Sequence, residues 1–314
     1  MSSTFPLLRL PGVVLCDVFK SLSIGEKIKL SFCSKKVSVQ INNARLYSQK
    51  VIVDLDILSR KIRVLSENNI WAFDIFNYFN GGTSNDLYIH QHQIEGHTVP
   101  VFFFSEWITI LWKNLREGYL SVIWYLLKIF QCKFSIGNNY DSDLYKTTIS
   151  ELLDRQVEFK TLTIRLNGSK DENLLWNQIS CNLGLVEDLR IESVDNPDVT
   201  PVFTSWPQKI NISSSAWFTL ESLLTCPCTS ILLEGSHFEN KDLEVIFRKW
   251  KTGGFPNLEY LYVNSSSIAN NGTTILGMNL MELDGNVIQT EDGSKKATIR
   301  IRGRSIEMSV TLCI

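Results

Sequence analysis

The amino-acid sequence predicts an α/β protein in which three short N-terminal helices precede a region of antiparallel strands, followed by a degenerate arc of alternating helices and strands closed by a C-terminal β cap. Three observations carry this expectation. Helix punctuation and 3.6-residue periodicity occupy the first 44 positions, and apolar residues then alternate with period two from about residue 50 to 104. Downstream, a strand pattern recurs, its last apolar positions spaced 28, 27, 21, 21 and 30 residues apart. The expected division is a helical segment at 1–48 followed by one larger domain at 49–314, with strands at 49–104, helix–strand units at 105–264 and the cap at 265–314.

The first helix opens at Pro11, whose fixed φ suits a helix start, and places Leu15, Val18, Phe19 and Leu22 on one face, flanked by Val14 and Leu8. Ser23 and Glu26 form an S-x-x-E capping box for a second helix through Ile28, Leu30 and Phe32. Ser34 caps a third, carrying Val37, Ile41 and Ala44. Three helices in forty residues bury few of their own apolar side chains, so either the rest of the chain or a partner must cover some of them.

The run FPLLRLPGVVLCDVFKSLSIGEKIKLSFCSKK resembles an F-box of the nematode-expanded type, with Leu10 and Pro11 opening it. The commoner pattern has a tryptophan where this chain carries Val37. The resemblance implies docking to a Skp-type adaptor, and through it to a cullin, by Leu8, Leu10, Pro11, Val14, Leu15, Val18, Phe19, Leu22, Ile28 and Leu30.

From 50 to 104, Val51, Val53 and Leu55, then Ile62 and Val64, then Trp71, Phe73 and Ile75 alternate with polar or small residues. Glu95-Gly96 suits a two-residue hairpin turn that sets Ile94 opposite His97 and His92 opposite Val99. That register puts His90, His92 and His97 on one face, but no nearby cysteine completes a conventional zinc motif, and no metal site is expected. The spacing of Ile108, Leu111, Trp112 and Leu115 predicts a helix, a break at Gly118, and a second helix through Ile123, Leu126, Leu127 and Phe130.

The recurring strands are Phe134-x-Ile136, Phe159-x-x-Leu162-x-Ile164, Val186-x-x-Leu189-x-Ile191, Pro207-x-x-Ile210-x-Ile212, Cys228-x-x-Ile231-x-Leu233 and Leu258-x-x-Leu261-x-Val263. Apolar faces at Tyr145, Ile149 and Leu152, at Trp176, Ile179 and Leu183, and at Leu220, Leu223 and Leu224 fall between them, as in a leucine-rich-repeat-like arc. The best-formed unit is residues 238–263: Asn240 is expected to cap a helix with Leu243, Ile246, Phe247 and Trp250 buried, and Gly253, Gly254 and Pro256 stop it before the strand. Strands are expected again at Ala297–Ile301 and Ile306–Leu312.

The segment from about Lys50 onward resembles the second nematode type of F-box-associated domain, on the residues Asp242, Leu243, Phe247, Trp250, Gly253, Gly254, Pro256, Asn257 and Leu258. The resemblance implies substrate recruitment and no catalytic residues. Strand positions alternating with the buried ones would face a partner, and Arg165, Arg190, Asn211, Leu232, Tyr260 and Tyr262 are the candidates for target binding, with Leu232 and the two tyrosines as anchors.

Composition limits the remaining function classes. A net charge of -2 and a pI near 6.1 leave no broad basic footprint for nucleic acid. Seven cysteines, none in a CxxC pair, point to reduced thiols in an intracellular protein, cytoplasmic or nuclear. Neither a signal peptide nor a membrane span is expected, since charges interrupt every apolar run. No GxSxG, Walker, GxGxxG or HExxH motif occurs, so the expectation is a non-catalytic receptor without a cofactor. The alternative is a repeat scaffold that binds protein independently of ubiquitin ligases; a hydrolase would need carboxylates distant in sequence to meet in space.

Overall fold

The computed structural model describes residues 9–44, 51–66, 68, 70–80, 90–137, 143–166, 170–194 and 201–313. It is a mixed α/β structure that divides into two compact units, Met1–Leu152 and Leu153–Ile314.

The first unit opens with α1 (Gly12–Ser21), α2 (Ile24–Cys33) and α3 (Lys35–Ala44). The Ser23/Glu26 capping box starts α2, and the Ser34 hydroxyl accepts the Lys36 N–H at 3.1 Å to start α3. Strands β1 (Val51–Asp56), β2 (Lys61–Ser66), β3 (Trp71–Phe79), β4 (His90–Ile94), β5 (His97–Phe103) and β6 (Trp107–Trp112) follow, then α4 (Leu115–Ile129), β7 (Cys132–Ile136) and α5 (Asp143–Asp154). Among the described residues the strand order is β7-β1-β2-β3-β6-β5-β4. The β4–β5 hairpin turns at Glu95 and Gly96, both with positive φ, and pairs Ile94 with His97 and His92 with Val99.

Residues 107–112, read from their spacing as helix, are strand β6, and Gly118 lies inside α4 rather than at a break between helices. Ile108, Ile110 and Trp112 are buried on alternate positions, so the segment satisfies both periods, and pairing decides between them. Here β6 runs parallel to β3 and antiparallel to β5, joining the β1–β3 meander to the hairpin. The region is therefore not purely antiparallel; β1 also pairs parallel with β7. Gly118 lets α4 approach the sheet, because a Cβ there would stand 2.7 Å from Cε2 of the Trp112 indole and nearer still to Cγ and Cδ2. Gly25 does the same for α2, where a Cβ would meet the Phe73 ring.

The second unit contains β8 (Phe159–Leu166), α6 (Lys170–Ser180), β9 (Val186–Val194), β10 (Lys209–Ile212), α7 (Leu220–Thr225), β11 (Ser230–Ser236), α8 (Asn240–Lys251) and β12 (Tyr260–Ser265). Strands β8 to β12 lie side by side, each parallel to the next. Then come α9 (Leu280–Leu283), β13 (Val287–Gln289), β14 (Lys295–Arg302) and β15 (Ser305–Leu312); β15 returns antiparallel to β12 and carries β14 and β13 beyond it. The short α9 and β13 carry no apolar periodicity long enough to mark them in the sequence. Asn240 is not the cap of α8: the helix begins at Asn240 with Glu239 before it, and the Asp242 carboxylate accepts the Glu239 N–H at 2.8 Å. The buried Asn240 amide instead donates to the Ala269 carbonyl at 2.8 Å and to the Thr273 hydroxyl at 2.7 Å, tying the loop after β12 to the helix start. Leu183, expected on the α6 face, sits in a following 3-10 turn.

Candidate functional site

Right-handed crossovers between parallel strands place their connecting helices on one side of a sheet. In the second unit the positions facing that side, among them Leu162, Leu189, Ile210, Ile231 and Leu261, are buried, as are Leu243, Ile246, Phe247 and Trp250 of α8. The alternate positions form the other face, on which Arg190 is exposed and Asn211, Leu232, Tyr260 and Tyr262 are half-buried, while Thr163 at its β8 end is buried.

Pairing aligns that face into rows. Thr163, Arg190, Asn211, Leu232 and Tyr262 are successive cross-strand partners from β8 to β12, and the row continues through Glu307 of β15 to Arg300 of β14. Four of the six target-binding candidates thus share one line. The other two lie in the rows on either side: Tyr260 is level with Ser230 and Ser309, and Arg165 is level with Glu192. Sequence reasoning missed Glu307 and Ser309, although the alternation Ile306-Glu307-Met308-Ser309-Val310 marks a strand with one polar face; what it could not show is that β15 pairs with β12.

The side chains on this face are held as well as displayed. The Arg190 guanidinium pairs with the Asp188 carboxylate, with contacts of 3.0 and 2.8 Å. The Tyr262 hydroxyl lies 3.0 Å from the Ser305 hydroxyl, which also accepts the Asn264 amide at 2.9 Å. Partial burial, reinforced by the Glu307 carboxylate, pushes the Tyr260 phenol above its ordinary value, so it remains a neutral hydroxyl at any physiological pH. The Asn211 carboxamide oxygen is buried with no hydrogen-bond partner among the described residues. The surface combines cations, carboxylates, hydroxyls, the carboxamides of Asn211 and Asn264 and aromatic rings, which suits protein recognition.

The adaptor-binding candidates fall into different environments. Leu15, Phe19 and Ile28 are buried within the first unit; Leu10, Val18, Leu22 and Leu30 are half-buried; Pro11 and Val14 are exposed. Leu8 lies outside the described residues. Val13, not singled out in the sequence, is 77% exposed beside Val14 at 45%, and these two with Pro11 present an apolar edge of α1. Phe32, in contrast, turns inward to stack on Tyr125 at 4.9 Å.

Of the three histidines, His92 packs edge-on against Phe32 and Phe103, with Nδ1 3.1 Å from the Phe32 carbonyl. His97 lies edge-on to Trp112, and the side chain of His90 is outside the described set. Among the described residues no cluster of three His, Cys, Asp or Glu side chains is placed to hold a metal. No described helix is long and apolar enough to cross a membrane.

Residues 203–263 match the F-box-associated family model. The F-box-associated match runs from Phe203, ahead of β10, to Val263 in β12, and so contains Asn211, Leu232, Tyr260 and Tyr262. Over 297 residues the chain is 22% identical to the E3 ubiquitin-protein ligase hecw-1 of Caenorhabditis elegans, an alignment covering 86% of this chain and 23% of that protein. It is 20% identical over 278 residues to the uncharacterized protein F59B2.8 of the same organism, covering 82% of this chain and 60% of the relative. The chain thus spans less than two thirds of either relative. No solved structure matches.

Proposed function

We propose that this chain is an intracellular, non-catalytic substrate-recognition subunit of a Skp-cullin-F-box ubiquitin ligase. The observation that carries the reading is the F-box-associated match at 203–263, which falls on the strands supplying the centre of the open sheet face. The three N-terminal helices with their F-box-like pattern support adaptor docking, and the relative named as an E3 ubiquitin-protein ligase supports the same pathway. In this reading the five parallel strands with their connecting helices form the leucine-rich-repeat-like arc, and its open face binds the target through the row Arg190, Asn211, Leu232 and Tyr262, with Arg165 and Tyr260 beside it.

Burial decides how to test the docking half. Charges at Leu15 or Phe19 would unfold the helices whether or not an adaptor binds there, because both side chains are buried. Val13→Asp with Val14→Asp alters only exposed positions and is expected to abolish co-purification with a Skp-type adaptor while leaving the helical circular dichroism intact. Undiminished co-purification would remove the adaptor role. For the target half, Tyr260→Ala with Tyr262→Ala should deplete the partners recovered by the full chain but not the adaptor; loss of neither would move target binding off this face.

A further inference from the structure

In the first unit a cleft of about 1460 Å³ opens between α2–α3 and the β4–β5 hairpin. Its floor is aromatic and hydroxylic: Phe32 is stacked on Tyr125, and the Tyr125 hydroxyl donates to that of Ser31 at 2.8 Å. Four cationic side chains line it, Arg9, Lys35, Lys36 and Lys128, against the single carboxylate of Glu95, which Lys128 already engages. Among the described residues Arg9, Lys35 and Lys36 have no ion-pair partner. The whole chain carries a net charge of -2, so this concentration of positive charge is local and does not follow from composition.

We propose that this cleft binds an acidic peptide segment of a partner protein. Unpaired cations on a concave wall raise the local concentration of anions and are stabilised by them. The cleft is larger than the roughly 300–1,000 Å³ typical of small-molecule sites. The amides of Gln40, Asn42 and Gln91 also line the cleft and can both donate to and accept from an extended backbone. Nucleic acid fits poorly, because the cations surround one concavity rather than following a line of phosphates. The inference concerns a surface separate from the target-binding row and stands whether or not the ubiquitin-ligase reading holds.

The test is fluorescence anisotropy of the full chain with a labelled oligoglutamate peptide, oligoglutamine of the same length serving as control. Oligoglutamate should bind at low salt and weaken as salt rises, and oligoglutamine should not bind. Lys35→Glu with Lys36→Glu should weaken binding at least about tenfold. Both positions are exposed in the first turn of α3, where a carboxylate interacts favourably with the helix dipole, so the fold should persist. Glu95→Gln releases Lys128 and should tighten binding about threefold. Unchanged affinity in the double lysine variant, equal binding of oligoglutamine, or equal competition by inorganic phosphate or by polyuridine would each overturn the assignment.

Discussion

Gly118→Ala sets two physical effects against each other with opposite signs. By helix propensity alone, alanine at Gly118, in the first turn of α4, should stabilise by up to about 1 kcal/mol. The structure predicts the reverse. A Cβ at 118 would lie 2.7 Å from Cε2 of Trp112 and nearer to two other indole atoms, whereas carbon atoms rest about 3.5–4.0 Å apart, so the indole or the helix must retreat by roughly 1 Å or more. Trp112 is 2% exposed, so its indole is enclosed by the surrounding core. Its Nε1 also donates to the buried Asn77 carboxamide at 2.9 Å, a bond that such a shift would stretch. Overpacking of this kind costs about 1–3 kcal/mol, and separating a buried donor and acceptor costs about 1–3 kcal/mol more. Set against the propensity gain, the net is a loss of about 1–5 kcal/mol, or a fall in melting temperature of roughly 2–20 °C for a unit of this size. Urea unfolding followed by far-UV circular dichroism measures it. In a Trp112→Leu background the same glycine change should cost less, giving a coupling of at least about 1 kcal/mol. If Gly118→Ala were as stable as the parent chain or more so, the close approach of α4 to β6 would be wrong.

Asn240→Ala removes an amide that holds the 269–273 segment through two hydrogen bonds, and it should cost about 2 kcal/mol and increase proteolysis of that segment; an unchanged digestion pattern would contradict the assignment. Lys27, 4% exposed in α2 and without a carboxylate partner among the described residues, has its pKa lowered by burial. Its native-state value lies below the unfolded one, so native stability rises as pH climbs through that window toward 10.5. Lys27→Met should therefore stabilise by about 1 kcal/mol at neutral pH, with the gain shrinking at alkaline pH; a gain independent of pH would show that packing rather than charge is responsible. The Asp292 carboxyl is held at about 2, because the Thr290 hydroxyl and the Ser294 N–H and hydroxyl donate to it. Its contribution is present above the ordinary carboxylate value of 3.8 and is lost as pH falls through about 2, and an NMR titration of Ser294→Ala should move its midpoint back toward 3.8.

Local signals were legible wherever chemistry within a few residues determines the backbone. The Ser23/Glu26 box, the Ser34 cap, the Glu95-Gly96 turn and the apolar stripe of α8 stand in the structure as the residues imply. The recurring L-x-x-L-x-V strands were legible too, because one face of each must be buried and period two identifies that face. From this it followed that Arg190, Asn211, Leu232 and Tyr262 would share a face. That they would stand in a single row depended on register, which each strand acquires only from its neighbour.

Tertiary pairing alone decided the rest. Residues 107–112 carry a pattern compatible with helix or strand, and only the presence of β3 and β5 on either side makes them β6. Gly118 reads locally as a helix breaker and proves to be the contact point for an indole from another element. Among the F-box-like apolar residues, spacing showed which share a helix face. It took the packing of the helices to separate buried Leu15, Phe19 and Ile28 from exposed Pro11 and Val14, because an amphipathic stripe looks the same whether its own chain or a partner covers it.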